Sequence, residues 1–144
     1  MESKASGAPN TLGGSQQGRA SPLARRIAGG GVWVVVVLEM LSIGAAGFAK
    51  FAASEVWTGL FVGWGYPRGF TFVVGAVEVL GALALLAPRL ASYAAGGLIV
   101  VMVGALATVL LNDTQLGPIA PTLHLIGLSI VLRARWARRW NPRG

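Results

Sequence analysis

The sequence predicts an all-α protein of the membrane: a polytopic bundle of four spanning helices, with a short interfacial helix between spans 1 and 2. Three observations predict it. Only 12% of the 144 residues are charged while 54% are hydrophobic, whereas a soluble domain keeps roughly a quarter of its residues charged. Four apolar runs each approach the length of a bilayer. The basic residues fall almost entirely on one side of the topology those runs define.

Residues 1–24 are rich in Gly, Ser, Ala and Gln and lack an apolar period. Ordering them would cost backbone entropy with nothing buried in return, so they read as a disordered cytoplasmic tail. They do not read as a signal peptide, because the apolar run after Arg25-Arg26 is far longer than a signal's apolar core and leads to no cleavage site. The residues flanking the arginine pair fit a twin-arginine signal poorly.

The apolar runs are Ile27 to Ala49, Gly69 to Pro88, Leu90 to Leu111 and Thr114 to Leu132. A helix rising about 1.5 Å per residue needs roughly twenty residues to cross about 30 Å of hydrocarbon. Helices are expected because each amide then finds its partner within its own segment. In the fourth run, Pro118 and Pro121 belong to the first turn or kink it. The four-span domain is thus expected over residues 25–133, followed by a basic cytoplasmic tail over 134–144.

Between the first two runs, Trp57, Phe61 and Trp64 recur at i, i+4 and i+7, one face of a short helix lying along the outer surface. Gly65-Tyr66-Pro67 ends that helix, since a residue before proline avoids helical angles.

Four spans put every Lys and Arg except Lys50 and Arg68 on one side, which places both termini in the cytoplasm of a bacterial inner membrane. This distribution accounts for most of the net charge of +7, and no nucleic-acid partner is expected. The closing segment interleaves cations with indoles: Arg133, Arg135, Trp136, Arg138, Arg139 and Trp140 read as an anchor at anionic headgroups.

Ionisable groups within the runs are costly, about 2.5–3.5 kcal/mol each where charged, and they define the candidate polar site: Glu39, Glu78, Lys50 and His124. Glu39 and Glu78 fall near the middles of neighbouring runs, so a common depth is expected of them. Glu39 and Lys50 are separated by about 16 Å along one helix and cannot pair. Lys50 either snorkels outward or reaches towards another helix. Small residues beside Glu78 turn it towards the bundle.

Three roles stay open for these groups. Lys50–Glu78 pairing or interhelical carboxyl hydrogen bonds would be interior glue. A proton-exchanging or polar-ligand pocket would be functional. An inter-subunit contact is the third. His124, one turn after Pro121, is expected to donate to a carbonyl freed by the prolines. In the third run Gly97, Val101, Gly104 and Thr108 form a small-residue stripe suited to close helix packing.

The absence of cysteine excludes disulfides, thiolate metal sites, iron–sulfur clusters and c-type haem in this chain. With one histidine, a haem ligated by two histidines of one protomer is excluded as well. No metal site is expected, because Glu39, Glu78 and His124 follow no ligand spacing. No phosphate cradle or serine–histidine–carboxylate set is present.

Several short motifs occur in a definite order: Gly47-Phe48-Ala49-Lys50-Phe51, Phe61 with Trp64-Gly65-Tyr66-Pro67, Gly75 through Arg89 around Glu78, and Met102-Val103-Gly104-Ala105. Together, over residues 43–108, they resemble the DoxX / DoxX-like family. The resemblance implies a bacterial four-helix inner-membrane protein. Some relatives are membrane subunits of a thiosulfate:quinone oxidoreductase, and others are linked to thiol and oxidative-stress homeostasis. Lys50 and Glu78 match the family's intramembrane polar positions, whereas Glu39 and His124 lie outside its pattern.

The functional expectation is therefore a membrane subunit or anchor of a redox assembly. It carries no intrinsic cofactor, and its polar site is built to meet a quinone. Lipid, a redox protein or a second copy are the partners expected. The alternatives are a small proton-coupled transporter or permeability factor, and a non-catalytic scaffold.

Overall fold

The structure, a computed structural model, describes residues 22–112 and 116–140, with side chains over 30–112 and 116–137. The expected N-terminal tail falls almost wholly outside the described residues, as do the side chains of Arg138, Arg139 and Trp140. Among the described residues the protein is all-helical: α1 (Pro22–Ala52), α2 (Ser54–Gly63), α3 (Phe70–Leu86), α4 (Ala91–Asn112) and α5 (Ile119–Trp140). Two of these, α1 over Gly30–Ala52 and α4, are long and apolar enough to cross a membrane, and α3 is a shorter apolar helix.

Glycine, proline and a break at Ala53 set several of the element boundaries. α1 is described from Pro22 and so includes residues ahead of the apolar run at Ile27. It breaks at Ala53 (φ −116°, ψ 48°), and α2 follows at once. α2 ends before Gly65, which takes φ +88°, a conformation that favours glycine. Pro67 then leads into α3. Gly117 (φ +67°) and Pro118 set the start of α5, so both prolines of the fourth run sit at its beginning. α5 continues to Trp140, past the end of the apolar run at Leu132.

Helices α1, α3, α4 and α5 pack as a ring: α1 on α3, α3 on α4, α4 on α5 and α5 on α1. α2 lies against α1 and α3. The core is formed by Val36, Ile43, Ala82, Leu85, Leu98, Leu128 and Val131 with Ala95 and Met102. All four ring helices also turn large apolar side chains outward, including Leu38 (61% exposed), Leu80 (66%), Val100 (72%) and Leu123 (60%).

Two crossings fix the register. A Cβ on Gly47 would stand 2.9 Å from both Glu78 Cβ and Gly75 O, and one on Gly44 would stand 3.6 Å from Ala82 Cβ. α1 and α3 therefore run antiparallel with Gly47 level with Glu78. Glu39, eight residues earlier, lies about 12 Å away along the axis. The common depth expected of Glu39 and Glu78 does not hold. Taking the middle of each apolar run ignored that the α1–α3 crossing falls near the end of α1 and the middle of α3.

Only part of the α4 stripe packs within the chain: Thr108 is buried and Val101 lies against the core. Gly97 and Gly104 are exposed, and a Cβ on either would meet nothing within 4 Å. The close intrachain approach instead uses Gly47 and Gly75 on α1 and α3, and Gly81 against Leu98 on α4.

Candidate functional site

Lys50 ends α1, where a cation suits the helix dipole, and Glu78 sits mid-way along α3. Their backbones are held together by the glycine crossing: a Cβ on Gly75 would stand 3.0 Å from Gly47 O and 3.1 Å from Lys50 Cβ. Lys50 Nζ donates to Glu78 Oε2 at 2.6 Å and both side chains are buried. The ammonium also donates to Ala46 O at 3.3 Å and lies 4.8 Å from the centroid of the Trp57 ring. Carboxylate, carbonyl and aromatic face thus engage the three donors an ammonium carries.

This ion pair lies on the wall of a cavity of about 500 Å³ lined by residues of all five helices and the α2–α3 turn. Its end beside α2 is aromatic: Trp57, Phe61, Trp64, Tyr66 and Phe70 line it. The face expected of Trp57, Phe61 and Trp64 is the face α2 turns inward, and Phe61 packs on Trp64 and Tyr66 at centroid distances of 5.4 and 5.7 Å. Tyr66 stacks on Phe70 at 5.0 Å.

A second polar point was not legible in the sequence. Tyr66 Oη and Thr108 Oγ1 are 2.7 Å apart. Thr108 spends its one proton on Gly104 O at 2.8 Å, so Tyr66 donates and keeps its oxygen as an acceptor.

His124 also lines the cavity, but it does not cap a carbonyl as expected. Its Nδ1 is 2.7 Å from Glu39 Oε2, which leaves Nε2 as the ring nitrogen for any occupant. Gly127, one turn further along α5, makes room for the carboxyl: a Cβ there would collide with Glu39 Oε1. Changing Gly127 to Ala is expected to push Glu39 off His124 and cost about 1 kcal/mol, the net worth of a hydrogen bond. In a Glu39→Ala background the same change should cost almost nothing, and a double-mutant cycle on thermal stability checks this.

The four candidate groups are therefore two pairs at two levels, with Lys50, Glu78 and His124 on one cavity. Among the described residues no three His, Cys, Asp or Glu side chains are grouped to hold a metal. Near the end of α5, Arg135 is buried with its guanidinium carbon 4.9 Å from the centroid of Trp33 on α1, whereas Arg133 and Trp136 are exposed.

The chain belongs to the DoxX-like family, whose model matches residues 34–132. Its members are typically membrane proteins, and together with the apolar helices this indicates a membrane location and contact with lipid. No curated protein and no solved structure matches the chain.

Proposed function

We propose that this chain is a multi-pass protein of the bacterial inner membrane whose cavity binds a lipid-soluble quinone, as the membrane subunit or anchor of a redox assembly. The outward apolar side chains of α1, α3, α4 and α5 support four crossings, and the one-sided basic residues support cytoplasmic termini. Arg133 and Trp136, both exposed, then meet the inner headgroups.

The observation that carries the quinone reading is the Lys50–Glu78 pair on the wall of a largely apolar, aromatic cavity. Charge in hydrocarbon is expensive and needs an occupant or partner to justify it. A quinone supplies a flat ring for aromatic walls and two carbonyl acceptors at opposite ends. One carbonyl would take the Lys50 proton now donated weakly to Ala46. The other would lie towards Nε2 of His124. Electrons come from a redox partner, since the chain has no centre of its own.

Quinones quench tryptophan, and Trp57 and Trp64 line the cavity, so titrating the purified protein with a benzoquinone carrying a decyl tail tests the reading. Saturable quenching is expected. The double variant Lys50→Met/Glu78→Leu should bind about tenfold to a hundredfold more weakly, the range for hydrogen bonds to charged groups. Quenching that never saturates, or is unchanged in the double variant, would sink the proposal.

The second reading is a small proton-coupled transporter, favoured by two buried carboxylate pairs near one cavity. It predicts pH-driven solute movement in proteoliposomes that disappears in Glu39→Gln or Glu78→Gln, which the quinone reading does not.

A further inference from the structure

The seam between α3 and α4 is closed at two places and open between them. On the inner side Gly81 meets Leu98, where an added Cβ would stand 2.8 Å from Leu98 Cδ2. At the outer end Tyr66 bonds Thr108. Leu98 and Thr108 are ten residues apart, about 15 Å along α4. Within that stretch Phe70 and Val74 on α3 face Val101 and Ala105 on α4, and all four line the cavity. They continue the stripes that carry Gly81 on α3 and Leu98 on α4.

The cavity does not stop at this seam. Val100 and Gly104 also line it, although Val100 is 72% exposed and Gly104 is exposed. Both flank the middle of α4 (Ala91–Asn112), so their exposed sides stand at the level of acyl chains rather than headgroups.

We propose that this opening is a lateral doorway from the hydrocarbon: the ligand enters between α3 and α4, its ring reaches Lys50 and Glu78, and its tail remains in the gap against Val100 and Gly104. This rests on the quinone reading and deepens it. The ligand is a tailed, membrane-dissolved quinone, and a water-soluble ring without a tail uses only part of the site. Gly104 keeps the gap open, since the space where its Cβ would stand is empty.

Gly104→Phe fills the gap without displacing another helix. In the tryptophan-quenching titration it should raise Kd for the decyl-tailed benzoquinone about tenfold, the burial of roughly two methylenes, while the same ring without a tail binds as it does to the parent. Val100→Phe, on the same rim, should repeat that split, and Gly104→Ala should match the parent for both ligands. Equal weakening of tailed and tailless rings, or no weakening of either, would overturn the doorway while leaving the ring site standing. Failure of the parent to bind either ring would overturn the site and the doorway together.

Discussion

Replacing Lys50 alone by methionine is expected to destabilise the protein by about 3–5 kcal/mol, the usual cost of stranding one member of a buried ion pair. The cost is high because the surroundings cannot relax. Gly47 and Gly75 bring α1 and α3 to backbone contact beside the pair, and Glu78, on a short stem mid-way along α3, is buried. Glu78→Gln should cost less. Lys50 is in the last turn of α1, and a four-carbon stem released there can snorkel to the outer interface.

Lys50→Met/Glu78→Leu should recover most of the loss, because a well-packed apolar pair often replaces a buried ion pair without penalty. Lys50→Arg should fall between, since a planar fork does not reproduce a compact ammonium set among a carboxylate, a carbonyl and an indole face. Thermal unfolding in one detergent ranks the four variants. Comparable losses for Lys50→Met and the double variant would show that the pair itself, rather than the charge left behind, sets the stability.

That same pair shows how far the residues could be read without coordinates. Lys50 and Glu78 stood out because charge in an apolar run demands a partner, and the α2 face stood out because Trp57, Phe61 and Trp64 keep a helical period. Both signals are local or compositional. The partnership of His124 with Glu39 was hidden because it depends on the registers of two helices, the two residues being 85 apart in sequence, and no periodicity encodes a register. Gly127 was invisible for the same reason: its role is to leave space for a carboxyl on another helix. Tyr66 and Thr108 sit in a turn and on a helix face, and each carries an ordinary hydroxyl. The Gly97–Gly104 stripe misled because small residues permit close approach without saying whether the neighbour is a helix, a lipid or a ligand.

Two glycines one turn apart on α1 should respond to alanine with opposite signs. An added methyl at Gly44 makes ordinary contact with Ala82 Cβ at 3.6 Å, so Gly44→Ala should raise stability by about 0.5–1 kcal/mol through helix propensity alone. At Gly47 the methyl would stand 2.9 Å from both Gly75 O and Glu78 Cβ and 3.0 Å from Val79 Cγ2. One of these is a backbone atom, so α1 and α3 must separate, and overpacking of this kind costs about 1–3 kcal/mol. The separation also lengthens the 2.6 Å contact between Lys50 and Glu78, so the expected loss lies at the upper end, about 3 kcal/mol. Combining Gly47→Ala with Lys50→Met/Glu78→Leu should shrink the penalty towards that of overpacking alone, because the ion pair is no longer there to be stretched. Thermal unfolding of the series checks both signs, and a Gly47→Ala protein as stable as Gly44→Ala would mean that the two helices do not cross at this point.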